Sequence, residues 1–205
     1  MADLSRLPLD PRLLVSALRI IDPKLFKLEP LPAGTASSDV TLSAADLPAL
    51  VRSAALAICG FGDDAAAQRA PSVLWRVGAS DLLVLPAAIQ TRLATGIVAL
   101  SVPVRSDQSG DALVHMSFFV GEPARPAGLV AATEPRPRGP AAVVDVWGER
   151  LVAFGWRIVL ELATHIAAES GRDEDGAPLV PAAITATPRG LTVLPMARHA
   201  MDRGK

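Results

Sequence analysis

"VVDVWGERLVAFGWRIVLELATHIAA", residues 143–168, is the longest apolar stretch of this chain. It is long enough to cross a membrane, which takes about 20 mostly apolar residues. Its ionisable side chains are Asp145, Glu149, Arg150, Arg157, Glu161 and His165. Each Asp, Arg or Lys near the centre of a bilayer costs roughly 2.5 to 3.5 kcal/mol, whereas an aliphatic residue contributes about a few tenths. The sequence therefore predicts that this stretch does not span a membrane.

The same residues have the periodicity of an amphipathic helix. At about 100° per residue, polar side chains fall on one stripe, and apolar side chains cover the rest of the circumference. The polar stripe consists of Arg150, Arg157, Glu161, Thr164, His165 and Glu169. Gly139 and Pro140 mark the start of the helix, and Gly171 marks its end. So broad an apolar surface predicts a helix that lies across a sheet, with apolar surface left for a second contact.

Two glycines of this helix, Gly148 and Gly155, are seven residues apart and lie on the same side. Each lowers helix stability by about 1 kcal/mol relative to alanine, so a packing reason is expected. Their missing side chains favour close packing against a sheet or another helix. The alternative is a ligand wedged between the sheet and either Trp147 or Trp156.

The middle of the chain has the pattern of β-strands. Short β-branched or aromatic runs occupy residues 72–78, 81–86, 95–106 and 111–121, separated by Gly, Pro, Asp and Ser. The turn "RSDQSGDA", residues 105–112, predicts an antiparallel hairpin between the last two runs. In the final run, one face carries Leu113, His115, Ser117 and Phe119, and the other carries Val114, Met116, Phe118 and Val120. We expect the second, entirely apolar face to point inward.

The remaining elements complete the predicted fold. Residues 128–133 are a possible short strand, and a final hairpin turns around Pro188, Arg189 and Gly190. Ser43 is the expected N-cap of a second helix, with Asp46 as its capping-box partner and Gly60 at its end. The order of elements predicts an α+β fold with a largely antiparallel sheet of about five to seven strands. One long helix packs across this sheet, and N-terminal helices precede it.

The N-terminal region is expected to be separate from this domain. Residues 10–21 have an N-cap at Asp10, a proline at the next position and an apolar stripe, which predicts an amphipathic helix. Residues 29–42 combine Pro, Gly, Ser and Asp, which is typical of a loop or extended arm. We therefore expect residues 1–42 to form a helix and an arm, and residues 43–205 to form a single α+β domain.

Composition limits the classes of function. Half of the 205 residues are hydrophobic and a fifth are charged, so the chain can bury a core without disulfides. A net charge of -1 gives no basic footprint for nucleic acid. The single cysteine, Cys59, excludes an internal disulfide and a cysteine-based zinc site. The N-terminus lacks the apolar core of a signal peptide. We expect a cytoplasmic protein that does not bind nucleic acid.

Three pairs of side chains have residue types suited to catalysis or metal binding: Asp145 and Glu149, Glu161 and His165, and His115 and Ser117. The first pair lies in the first turns of the long helix, where the helix dipole favours acids without any catalytic role. The second supplies only two of the three or four ligands of a metal site. The third lacks the glycine-flanked turn of a nucleophilic serine. The sequence therefore predicts no catalytic residue, no metal site and no cofactor.

These observations favour a non-catalytic binding or assembly protein: a subunit, adaptor or chaperone-like module with a protein partner, or a homo-oligomer. Its candidate interface residues are Leu14, Val15, Leu18, Ile21, Gly148 and Gly155. The alternative is a small-molecule-binding protein or an enzyme with a pocket between the sheet and the long helix. The candidate residues of that pocket are Trp75, His115, Trp147, Glu149 and Trp156.

We predict that the chain purifies without detergent, because the polar stripe of the long helix is incompatible with lipid on all sides. The measurement is the distribution of the chain between the soluble and membrane fractions of a lysate after ultracentrifugation. Recovery only from detergent-extracted membranes, with no membrane-bound partner present, would contradict this prediction.

Overall fold

The computed structural model describes residues 39–61 and 71–197, with only the backbone described for residues 125–129. In this part of the chain, a long helix packs across one face of a curled antiparallel sheet, and a shorter helix packs beside it. The elements in chain order are β1 (Val40–Ser43), α1 (Leu47–Ile58), β2 (Val73–Val77), β3 (Ser80–Val84), a 3-10 turn (Pro86–Ala88), β4 (Gln90–Ala94), β5 (Ile97–Ser106), β6 (Gly110–Glu122), β7 (Arg125–Ala132), α2 (Ala141–Glu169), β8 (Val180–Thr187) and β9 (Gly190–Met196).

The strands lie in the order β1-β9-β8-β7-β6-β5-β3-β2, and β4 also pairs with β5. Strands β2 to β7 form a six-stranded sheet, and β1, β8 and β9 form a three-stranded one. The two join where Ala127 of β7 pairs with Ile184 of β8. The predicted α+β class with a largely antiparallel sheet is confirmed. The described residues contain nine strands, two more than the upper end of the expected range.

The two strands that the sequence pattern did not predict are β1 and β4. Residues 40–42, which the pattern assigned to the arm, lie in β1 and pair with β9. At the end of this pairing, a Cβ on Gly190 would lie 2.4 Å from the carbonyl oxygen of Leu42, so only glycine allows the approach. Strand β4 follows the 3-10 turn and pairs with residues 97–101 of β5. Strand β1 directly follows the segment rich in Pro, Gly and Ser, and β4 contains only one β-branched residue, so neither gave a strand pattern.

The predicted hairpins are confirmed. Strands β5 and β6 pair antiparallel through the expected turn, where Ser106 is opposite Gly110. Gly110 has a φ of 63°, a left-handed conformation that glycine adopts readily. Strands β8 and β9 also form a hairpin, with Thr187 opposite Gly190. In β6, the apolar face predicted to point inward is buried, and Leu113, His115 and Phe119 on the other face are exposed.

Helix α1 is confirmed, but its predicted N-cap is wrong. Ser43 is the last residue of β1, and Asp46 is the N-cap of the helix, without a side-chain capping hydrogen bond. The two residues do contact each other: the Ser43 hydroxyl donates to the Asp46 carboxylate over 2.6 Å. The contact therefore closes the turn between β1 and α1. The predicted helix at residues 10–21 lies outside the described residues.

Helix α2 is confirmed between Pro140 and Gly171 and forms the centre of the core. Its buried side includes Leu151, Ile158 and Leu162, each no more than 1% exposed. At Gly155 the helix is in close contact with β6: a Cβ there would lie 2.5 Å from Met116 Sδ and 2.9 Å from Phe118 Cζ. The predicted close packing of this glycine against the sheet is therefore confirmed. The polar stripe is exposed except for Arg157, which is half-buried.

By length and composition alone, α2 is long and apolar enough to cross a membrane, with a mean hydropathy of 1.4 over its most apolar window. Half of that window is buried inside the chain. These buried residues belong to the core cluster, in contact with the sheet and with α1. The apolar residues of α2 therefore contribute to the packed core of this domain.

We predict that Gly155→Leu lowers the free energy of unfolding by about 1 to 3 kcal/mol, because the new side chain overlaps Met116 and Phe118. The matched control is Ala153→Leu, which enlarges an exposed residue of the same helix, and Arg157→Ala is a second control. Ala153→Leu should remain within about 0.5 kcal/mol of the parent chain in urea denaturation, and Arg157→Ala should destabilise the chain less than Gly155→Leu does. Equal stabilities for Gly155→Leu and Arg157→Ala would mean that the helix faces the other way.

Candidate functional site

The tryptophans of the predicted pocket fill the interior instead of lining a cavity. The rings of Trp75 and Trp147 have centroids 6.3 Å apart, and Phe154 packs edge-on against Trp75 at 5.5 Å. Trp75 and Trp147 are 8% and 2% exposed. Trp156 is half-buried, and its Nε1 donates a hydrogen bond of 2.7 Å to the carbonyl oxygen of Val130 in β7. These rings therefore join helix α2 to the sheet.

The other two predicted pocket residues lie elsewhere. His115 is exposed on the face of β6 opposite Met116, so the sheet separates it from the buried tryptophans. Glu149 is exposed on α2 and lines an open groove of about 440 Å³ between the start of the helix and residues 135–136. The structure thus does not bring the five residues together.

Charged side chains dominate the groove beside Glu149. Asp145 forms an ion pair with Arg136, so it does not form the carboxylate pair with Glu149 that acid–base chemistry needs. The Arg150 guanidinium lies 5.8 Å from the centroid of the Trp147 ring, a cation–π geometry. Binding sites for small molecules are usually enclosed and mostly apolar. This groove has neither property.

The remaining predicted candidates have other partners. His165 lies 3.3 Å from Glu169 instead of sharing a site with Glu161. Within residues 39–61 and 71–197, no three His, Cys, Asp or Glu side chains are grouped as metal ligands. The candidate interface residues at positions 14, 15, 18 and 21 lie outside these ranges. Gly148 and Gly155 are both buried, and a Cβ on Gly148 would lie 3.3 Å from Pro137 Cδ. Both glycines are thus packed against other residues of the same chain.

The side chains of β2 to β6 that point away from α2 form a surface that we call the open face. Its apolar members include Leu74, Leu113 and Phe119, which are 36%, 40% and 42% exposed. In the described residues, only one other large apolar side chain is comparably exposed, Val146 at 42% on α2. The exposed apolar surface of the domain is therefore concentrated on one side of the sheet.

A polar row crosses the middle of the open face. The strand register aligns Gln90 of β4 with Ser101 of β5, Ser101 with His115 of β6, and His115 with Arg138 beside it. The Ser101 hydroxyl and His115 Nδ1 share a hydrogen bond of 2.8 Å. His115 therefore pairs with a serine on the neighbouring strand and not with Ser117. Leu113 lies on one side of the row and Phe119 on the other.

Most of the charges on and beside the open face are already paired. The guanidinium groups of Arg76 and Arg105 each donate two hydrogen bonds to the carboxylate across the strand pair, Asp81 and Asp111 respectively. These hydrogen bonds lower the pKa of both carboxyls and raise the pKa of both guanidinium groups. Arg138 is paired with Glu134 in the same way. The face is thus close to neutral, with Arg92 of β4 as a further exposed charge.

Sequence reasoning predicted the outward direction of Leu113, His115 and Phe119 but did not recognise the open face as a site. The alternation within β6 was enough to show which side chains share a face. The polar row depends on the register between four segments, two of which, β4 and residues 134–138, had no strand signal. The Ser101–His115 hydrogen bond therefore had no signature in the local sequence.

Cys59, at the end of α1, is buried at 3% exposure. Burial raises the pKa of its thiol from about 9 to about 11, and the positive charge of Arg157 lowers it by less. Since the thiolate is the reactive form, the thiol is inert at neutral pH. Burial and the raised pKa both make Cys59 a poor nucleophile in the folded chain.

We predict that Cys59 in the native chain reacts with a disulfide reagent at pH 8 about a hundredfold more slowly than an exposed cysteine, because its thiolate fraction is far smaller. The control is Gln108→Cys in a Cys59→Ala background, which places a thiol in the exposed β5–β6 turn. Stopped-flow absorbance gives both rates. Equal rates would show that Cys59 is accessible and ionised.

No known protein family, curated protein or solved structure matches this chain. The geometry of the domain is therefore the basis for its functional assignment.

Proposed function

We propose that this chain is a non-catalytic binding or assembly protein, a subunit, adaptor or chaperone-like module that binds a protein partner through its open face. The single observation that carries this proposal is the concentration of exposed apolar side chains on that face. Leu74, Leu113 and Phe119 are each more than a third exposed on one side of the sheet. Covering such surface is favourable by about 25 cal/mol per Å² of apolar area.

The composition of the open face also suits a protein partner. Protein interfaces combine apolar and aromatic residues with hydrogen-bonding groups and a share of arginine. Here Leu113 and Phe119 flank a row that offers the Gln90 amide, the Ser101 hydroxyl and the His115 imidazole. Such a row can fix the orientation of a partner, while the apolar side chains supply most of the binding free energy.

The pocket alternative has weaker support. An enzyme or small-molecule carrier needs converging polar groups in an enclosed space. Trp75 and Trp147 fill the space between the sheet and α2, whereas His115 lies on the other side of the sheet. The groove beside Glu149 is open and charged. None of these arrangements favours catalysis over binding.

Charge favours a protein over a nucleic acid as the partner. Arg76 and Arg105 on the open face, and Arg138 beside it, are engaged by carboxylates, so they offer little free positive charge to phosphates. The whole chain has a net charge of -1. A cytoplasmic location and the absence of a membrane span remain predictions from the sequence.

We predict that a photo-crosslinking amino acid at position 113 or 119 traps a protein partner in the cells that produce this chain. Both positions are exposed on the open face, so the probe is tolerated and lies within the interface. The control is the same probe at position 108, in the exposed β5–β6 turn. Mass spectrometry of the crosslinked species identifies the partner, including another copy of the chain. Crosslinks of equal yield at position 108, or none at positions 113 and 119, would refute the proposed function.

A further inference from the structure

We infer that the partner of the open face is a second copy of this chain, which gives a dimer with the two sheets packed face to face. This inference rests on the proposed function, because it names the partner for the same surface. It rests on three properties of the open face: a nearly neutral charge, hydrogen-bonding groups that can pair with those of a second copy, and an area sufficient for a dimer interface.

The paired charges argue against a strongly charged partner. Arg76 with Asp81 and Arg105 with Asp111 are neutralised within the face, so the electrostatic field that they project is weak. Electrostatic complementarity selects partners of opposite potential, and a nearly neutral face is best matched by another nearly neutral face. Arg92 lies on β4, which pairs with β5 and forms an edge of this part of the sheet. At this edge the positive charge of Arg92 can remain in water.

The polar row is self-complementary. The Gln90 amide contains donors and an acceptor. The hydrogen bond between Ser101 and His115 uses one donor and one acceptor, and it leaves a lone pair on the hydroxyl and the Nε2 of the imidazole for other partners. When two sheets face each other, their two-fold axis lies in the plane of the interface. A two-fold axis parallel or perpendicular to the polar row places the row of one copy over the row of the other copy. Each donor of one row then has an acceptor in the same set of residues of the other copy. The apolar regions around Leu113 and Phe119 then lie against apolar regions of the other copy.

The area of the face is also sufficient. Strands β2 to β6 contain 38 residues in all; at about 3.3 Å per residue and about 4.8 Å between strands, they give a projected face of roughly 600 Å². A stable interface of standard size buries about 800 Å² of accessible surface per partner, and the accessible area of a side-chain surface exceeds its projection. Two sheets that pack in this way lie about 10 Å apart, with interleaved side chains.

The test is the molar mass of the purified full chain by light scattering and sedimentation velocity, at concentrations up to about 100 µM, which covers weak specific interfaces. We expect twice the chain mass of 21.3 kDa. Leu113→Asp and Phe119→Asp should each convert the dimer to a folded monomer, since both side chains are exposed in the single chain. Val146→Asp is the matched control: Val146 is as exposed as Phe119 but lies on α2, so the dimer should persist.

Three results would overturn the inference. The first is a monomer at every concentration, and the second is a dimer that survives both open-face substitutions. The third is a dimer that is lost with Leu14→Asp and Leu18→Asp but not with the open-face substitutions, which would assign assembly to the N-terminal helix predicted from the sequence. A monomer whose position 113 crosslinks a different protein would refute the second-copy partner and leave the proposed function standing. A monomer without any crosslink would refute both.

Discussion

The contact between Gly155 and strand β6 sets how closely helix α2 approaches the sheet. A Cβ at this position would lie within 3 Å of both Met116 and Phe118, so the helix rests directly on the strand. The absence of one side chain lets α2 bring Leu151 and Ile158 into the core on either side of the contact. The loss of intrinsic helix stability at a glycine, about 1 kcal/mol, is offset by this packing.

The same contact explains why helix α2 does not cover the open face. Helix α2 covers the side of the sheet that carries Val114, Met116 and Phe118, and the tryptophans fill the space beside it. Because successive side chains of a strand point to opposite faces, Leu113, His115 and Phe119 then point away from the core. Since the helices occupy the first side, any partner that covers these apolar side chains must approach the second. The proposed function is thus connected to core packing through the alternation of one long strand.

The sequence predicted the features that depend on local periodicity. The bounds of α2, the two hairpins and the inward face of β6 all follow from patterns within single elements. Strands β1 and β4 were not predicted: β1 is held by pairing with the distant β9, and β4, which pairs with the adjacent β5, contains only one β-branched residue, Thr91. The role of Ser43 was also misassigned, since its contact with Asp46 closes a turn after a strand that the pattern did not reveal.

In the candidate site, too, the sequence predicted what depends on one element and missed what depends on contacts between elements. The pocket hypothesis combined Trp75, Trp147 and His115, although the alternation of β6 already places His115 on the face opposite Met116. Trp75 and Trp147 are far apart in the sequence, so the sequence pattern did not reveal that their rings pack against each other. The polar row of Gln90, Ser101 and His115 became visible only with the strand register. Patterns in one strand predict which residues share a face but not which residues of neighbouring strands meet.

The central claim is that the open face is the binding surface of this protein, and hydroxyl-radical footprinting of the purified chain at low and high concentration tests it most directly. We predict that oxidation of Leu113 and Phe119 falls as concentration rises, while oxidation of the equally exposed Val146 on α2 stays constant. Protection of Val146 with unchanged oxidation of Leu113 and Phe119, in a chain that associates, would contradict the claim.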